Sequence, residues 1–158
     1  DAVVCVTGAS GERHISAGEF FVDYLETALE EGELVTSVRL PATPGGTVSA
    51  YEKFARVEGD FATVSVAVVM RENQDNIENI RLAVGACAPA PIRSAEAEDI
   101  LRDGGGDETS IAAASEHLVA GADPMDDFRG SGEYRLKLIP VLVSRALEAA
   151  LNRREGRA

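Results

Sequence analysis

Apolar and polar positions alternate over several short runs in the first half of this chain. In the last third the apolar positions recur every three or four residues, so strands should come first and helices last. Ala2-Val3-Val4-Cys5-Val6 reads as a strand, stopped by the turn-rich Thr7-Gly8-Ala9-Ser10-Gly11. Residues 16–29 carry Phe20, Phe21, Tyr24, Leu25 and Leu29 at spacings that predict one or two helical turns with an apolar face. Leu34 to Leu40 is a loosely alternating strand that ends at Pro41. Pro41-Ala42-Thr43-Pro44-Gly45-Gly46 is the clearest linker signal in the chain and marks a domain boundary.

Beyond the linker, Ser49 to Arg56 reads as a strand and Glu58-Gly59-Asp60 as a turn. The strongest strand is Phe61 to Arg71, with Ala62, Val64, Val66, Val68 and Met70 on one face and Thr63, Ser65 and Arg71 on the other. A turn at Asn73 to Asn76 leads to Ile77–Cys87, where Ile80, Leu82, Val84 and Ala86 share a face. Adjacent strands joined by short turns make an antiparallel meander. Three helices follow, over 95–102 with Ser94 as cap, about 108–120, and about 132–152. The last shows an apolar stripe of Tyr134, Leu138, Val141, Leu142 and Leu147, with Pro140 placed to kink it or free a carbonyl. The predicted class is α+β: a small antiparallel sheet of about three strands with three helices on one face, preceded by the end of another α+β domain. The boundaries are 1–41, a linker at 42–47, the second domain at 48–152 and a tail at 153–158.

Composition narrows the function. Of 158 residues 45% are hydrophobic but only 5% aromatic, so the core rests on Val, Leu, Ile and Ala. A net charge of -12 argues against nucleic acid and against an anionic membrane surface. No apolar run approaches the ~18 residues of a membrane span. Cys5 and Cys87 lie far apart in apolar runs without a Cys-x-x-Cys pair, which points to buried free thiols in a reducing compartment, the cytoplasm. The chain opens at Asp1 directly on an apolar strand. A strand of that kind needs partners on both sides, which points to a piece of a longer protein or to partners on another polypeptide.

Candidate chemistry is sparse. His14 and His117 have no metal-ligand companion at suitable sequence spacing. Asp123, Asp126 and Asp127 lack the glycine and closing Glu of a calcium loop and read as a helix-capping loop. No nucleophile elbow or phosphate-binding Lys loop is present. The exception is Tyr51-Glu52-Lys53-Phe54-Ala55-Arg56, followed by Gly59-Asp60-Phe61-Ala62. Tyr51, Lys53 and Ala55 face one way and Glu52, Phe54 and Arg56 the other. A cation beside an aromatic on a sheet face suits a flavin ring edge or its phosphate, although residue chemistry alone favours a surface strand with ordinary ion pairs.

That segment resembles the flavoprotein subunit of the carbon monoxide dehydrogenase and xanthine dehydrogenase group, the molybdenum hydroxylases. Glu19-Phe20-Phe21-x-x-Tyr24-x-x-Thr27-x-Leu29 with Glu33-Leu34-x-Thr36-x-Val38-Arg39-Leu40-Pro41 is similar to the end of that family's FAD-binding domain. Pro89-x-Pro91-Ile92-Arg93 and Arg129-Gly130-Ser131-x-Glu133-Tyr134-Arg135 resemble its later blocks. Four blocks in the family's order cover nearly the whole chain. The resemblance implies the C-terminal part of an FAD-binding, electron-transferring subunit. Substrate would be hydroxylated at a molybdopterin centre on a large subunit. Electrons would cross two 2Fe-2S clusters on a small subunit to FAD, which reduces an acceptor such as NAD or a quinone. It further implies that most FAD contacts, including the glycine-rich pyrophosphate loops, lie in an N-terminal half of the FAD domain upstream of these residues. The cofactor-binding residues carried over are Lys53, Val35 and Asp60, with no catalytic residue and no metal ligand in the chain. The competing reading is a non-catalytic α+β assembly or binding module without flavin.

Overall fold

A computed structural model describes residues 1–73 and 76–155. The chain divides into two compact units, Asp1–Pro44 and Gly45–Ala158.

In the first unit, β1 (Val3–Gly8) is the central strand of a three-stranded antiparallel sheet. Its neighbours are β2 (Gly11–Ser16) and, after α1 (Ala17–Phe20), β3 (Phe21–Asp23) and β4 (Glu26–Thr27), the strand β5 (Leu34–Arg39). The two partners that β1 requires are therefore supplied by this chain itself, not by another polypeptide. Strand β2 is invisible to the sequence pattern because Gly11–Ser16 holds a single core residue, Ile15, after the polar Glu12-Arg13-His14. Val4, Val6, Ile15 and Phe20 form the core, with Ala28 and Leu29 packed against it. Arg13 ties the connection to β5 in place: Nε and Nη2 donate to the two oxygens of Glu33 at 2.7 Å, and Nη2 also donates to the Ala28 carbonyl. This bidentate pair holds the Glu33 carboxyl down at about 2. The helix expected over residues 16–29 is only one turn. Phe21, Tyr24 and Leu25 are exposed, and Leu25 takes a left-handed φ of 56° in the β3–β4 hairpin. β5 lies at the sheet edge with all six residues exposed, among them Leu34, Val35 and Val38.

The second unit is a β6-β7-β8 antiparallel meander, β6 (Thr47–Phe54), β7 (Val64–Asn73) and β8 (Asn76–Gly85). Helices α2 (Ala95–Asp103), α3 (Glu108–Ala120) and α4 (Gly132–Glu155) follow. α4 packs on β6 and β7, α2 on β8, and α3 contacts both other helices. Val64, Val66, Val68 and Met70 of β7 meet Ile80, Leu82 and Val84 of β8, and Leu101, Leu118, Ile139, Leu142 and Leu147 of the helices. Fully burying an aliphatic side chain of this kind contributes about 1.5–3 kcal/mol. The register shift at Arg71/Glu72 brings Ile77 into the core alongside Ile80, which strict alternation does not allow. Ala86 leaves the predicted face: it is exposed, with φ 65°, where the chain turns out of the sheet. Gln74 and Asp75 of the predicted turn, and residues 156–158 of the predicted tail, lie outside the described residues.

Local capping sets the helix limits. Ser94 Oγ accepts from Ala97 N, and Asp107 Oδ1 accepts from Ser110 N at 2.7 Å. Gly105 and Gly106 adopt left-handed φ of 66° and 73° between α2 and α3, a conformation that excludes most side chains. Buried Glu98 on α2 accepts from Leu82 N of the edge strand at 3.0 Å and is held by Arg93. On α4 the buried stripe runs Arg135, Ile139, Leu142, Val143, Ala146, Leu147 and Ala150. Tyr134 and Val141 are exposed and Leu138 is half-buried, so the predicted stripe is offset by one position at its start. A count of apolar residues overlooks the buried arginine that begins the true stripe. α4 runs through Pro140, which lies on its exposed side.

Candidate functional site

Lys53 lies near the end of β6, paired across the ladder with Ser65. Val48 and Ala50 point into the core and Phe54 packs against it, which leaves Tyr51 and Lys53 on the open face of the sheet. Beyond Phe54 the chain forms a compact loop. Thr63 N donates to Phe54 O at 2.8 Å and closes it, Asp60 N donates to Val57 O, and Gly59 takes the left-handed φ of 84° that the bend requires. Lys53 Nζ reaches over this loop to donate to Asp60 O at 3.1 Å. The Asp60 carboxylate accepts from Phe61 N at 2.7 Å and from Arg129 Nη2 at 3.0 Å.

Arg129 arrives on the segment before α4. Its guanidinium stands 4.1 Å from the ring centroid of Phe128 and 5.4 Å from that of Phe61. Asp127 Oδ1 takes Arg129 N and Gly130 N, and Asp126 Oδ1 takes Gly132 N at the start of α4. These bonds bear out the capping-loop reading for Asp126 and Asp127, while Asp123 contributes its backbone N to Cys87 O. Asp127 also accepts from Arg135 Nη2, while Arg135 Nη1 donates to Thr63 O at 2.6 Å and Ala86 O at 3.2 Å. Arg56 Nη1 donates to Phe128 O at 2.7 Å. A chain of ion pairs thus runs Asp60–Arg129–Asp127–Arg135 and fastens the β6–β7 loop to the start of α4.

The electrostatics follow. The Arg129 hydrogen bond, then that of Phe61 N, holds the Asp60 carboxyl below its usual range against the opposing effect of burial. At Asp127 burial pushes upward, yet hydrogen bonds from Arg129 N and Arg135 outweigh it and the carboxyl is lowered. Asp60 raises the Arg129 guanidinium in return. The carboxylates stay ionised at neutral pH and have no role as general acids there. Lys53 spends one of its three N–H donors on Asp60, and the other two suit an anionic or carbonyl oxygen. Thr63 Oγ1, Arg129 Nε and Arg135 Nε are buried without a partner and are not presented at the surface, so the two remaining Lys53 N–H groups are the donors that a ligand could meet. With exposed Phe61 beside it, this donor set fits one edge of a flavin or a phosphate oxygen, but not a whole dinucleotide.

Of the residues singled out in sequence, Lys53 and Asp60 meet within the second unit. Val35 belongs to the first unit, on β5 opposite Val6, and is 44% exposed. Arg129, Asp127 and Arg135 carry the geometry of the corner although no spacing in the sequence links them to Asp60.

A β-meander backed by three helices, with a basic and aromatic corner at its first hairpin, defines the class of domain. Residues 49–150 match the family described as the CO dehydrogenase flavoprotein C-terminal domain, and residues 1–43 match the FAD binding domain in molybdopterin dehydrogenase. The carbon monoxide dehydrogenase medium chain of Hydrogenophaga pseudoflava is 35% identical over 95% of this chain and 52% of its own length. The xanthine dehydrogenase FAD-binding subunit of Escherichia coli O157:H7 is 28% identical over 96% of this chain and 52% of its own. Among solved structures, carbon monoxide dehydrogenase from Hydrogenophaga pseudoflava superposes with a TM-score of 0.92 at 36% identity, over 97% of this chain and 53% of that one. Quinoline 2-oxidoreductase from Pseudomonas putida 86 superposes with a TM-score of 0.86 at 28% identity, over 98% and 53%. The chain belongs to the CO dehydrogenase flavoprotein C-terminal domain family. It spans about half the length of the curated relatives it matches.

Proposed function

We propose that this chain is the C-terminal portion of the FAD-binding, electron-transferring subunit of a molybdopterin-dependent hydroxylase. The observation that carries the reading is the pair of family matches, flavoprotein C-terminal domain over 49–150 and FAD-binding domain over 1–43. Residues 1–41 are then the end of the FAD-binding domain, 42–47 a linker, and 48–152 the C-terminal domain. FAD, when bound, supplies the electron-carrying chemistry. Lys53 donates to the cofactor from the sheet face, Asp60 sets the position of its ammonium, and Val35 offers an aliphatic surface. Partners are the remaining half of the FAD domain, an iron–sulfur small subunit and a molybdopterin large subunit. The exposed apolar edge strand β5 supports docking of the first of these, because an unpaired strand edge is a template for further pairing. Both cysteines are free and buried, which supports a reducing compartment and hence the cytoplasm. Among the described residues no helix is long and apolar enough to cross a membrane. An assembly module without flavin is the weaker reading, because both units match families named for flavin.

The test is the visible absorption spectrum of the chain mixed with FAD, alone and together with the other half of the FAD domain, after desalting. Flavin bands retained only with both halves support the reading. Lys53→Gln then weakens retention by roughly two- to fivefold, the worth of one exposed charge contact. No retained flavin in either mixture refutes it.

A further inference from the structure

The three-stranded sheet of the first unit has a second face, away from its core. Val4 and Val6 point to the core, so Cys5 between them points the other way. It is 1% exposed, flanked by His14 on β2 and Ser37 on β5. Glu12 precedes His14 by two positions and shares its face. The Cys5 thiol sulfur, a Glu12 carboxylate oxygen and a His14 ring nitrogen all lie within 4.8 Å of one another.

Thiolate, imidazole and carboxylate form a donor set that suits zinc, which binds them at ~2.0–2.3 Å in tetrahedral geometry. Ligand atoms of one such centre stand roughly 3.3–3.8 Å apart, so the sulfur has to approach the other two by up to about 1 Å, while His14 Nε2 and Glu12 Oε1 already stand 3.0 Å apart. The antiparallel ladder fixes the backbone on both sides of the cluster, and only side-chain torsions must adjust. The Glu12 and His14 side chains are 55% and 45% exposed, while the sulfur is buried behind them. Binding replaces the bond between His14 Nε2 and Glu12 Oε1 at 3.0 Å and moves Arg39 Nη2 off Glu12, now 3.7 Å away. Both are exposed contacts that cost little to exchange.

We propose that the β1–β2 hairpin carries a zinc site formed by Cys5, His14 and Glu12, with a fourth position open to solvent. Metal binding displaces the thiol proton to water, and the bound ion cross-links the two strands. The site lies in the other unit from Lys53 and Asp60, on the sheet that also carries Val35, and its test reads metal rather than flavin.

The experiment adds Zn2+ or Co2+ to the metal-free chain, removes unbound ion by gel filtration, and measures retained metal and the Co2+ spectrum. The expected result is one equivalent per chain, a thiolate-to-cobalt charge-transfer band and tetrahedral ligand-field bands. Cys5→Ser abolishes the charge-transfer band. His14→Ala, at an exposed position that leaves folding intact, weakens binding by more than about 100-fold, beyond the loss seen for an outer-shell partner. His117→Ala leaves binding unchanged. Less than stoichiometric retention, or retention that His14→Ala does not reduce, overturns the proposal.

Discussion

Replacing Arg135 with Met removes the buried fork that joins α4 to the sheet. Arg135 is 4% exposed and donates to Thr63 O, Ala86 O and Asp127. In the variant the Thr63 carbonyl is left in a buried setting without its donor, a loss of about 1–3 kcal/mol. The Ala86 carbonyl lies in a partly buried bond, and the Asp127 side chain is 36% exposed, so both regain water and add only about 0.5–1 kcal/mol together. Met fills most of the aliphatic volume, so no large cavity term is added. The expected loss is about 1.5–4 kcal/mol, a large share of the roughly 5–15 kcal/mol that stabilises a domain. Equilibrium urea unfolding followed by far-ultraviolet circular dichroism measures it as a lower midpoint at constant slope. Arg135→Lys, which keeps the charge and loses the fork, should fall between the two. A loss under about 1 kcal/mol for Arg135→Met, with the slope unchanged, would refute the claim that this arginine holds the loop to the helix.

Leu82→Ala, at a fully buried position between the sheet and α2, should cost about 2–5 kcal/mol in the same assay, and a cost under 1 would contradict the packing described. Glu33 is held at about 2 against an ordinary 4.5, mainly by its hydrogen bond from Arg13. Its contribution is therefore fully present above pH 4.5 and lost as pH falls toward 2, so thermal melts of wild type and Glu33→Gln should differ at neutral pH and converge at the acid end. Burial pushes the Cys87 thiol up to about 11, and Cys5 is also buried, so a thiol reagent at neutral pH should titrate neither cysteine in the native chain and both in urea. Fast labelling of Cys87 in the native state would show that its core opens.

Several features follow from the sequence alone, because they rest on interactions between near neighbours. The Val64-Val66-Val68-Met70 alternation specifies β7 and its buried face. Ser94 announces the start of α2, since an N-cap bonds within its own first turn. The motif blocks also order themselves into a family without any geometry. What the sequence leaves open depends on contacts between residues far apart in it. The helix expected at 16–29 gives way to one turn and a hairpin, because periodicity does not say which apolar residues find a core. The stripe of α4 begins at Arg135, a residue that any hydrophobic count rejects and that only Thr63, Ala86 and Asp127 make buriable. Arg129 meets Asp60, and Cys5 faces His14, only once strand register and helix docking bring them together. Local periodicity and capping are written in nearest-neighbour chemistry. Desolvated charge networks and cross-strand clusters are fixed by the tertiary structure, where burial makes each unpaired group costly enough to select its partner.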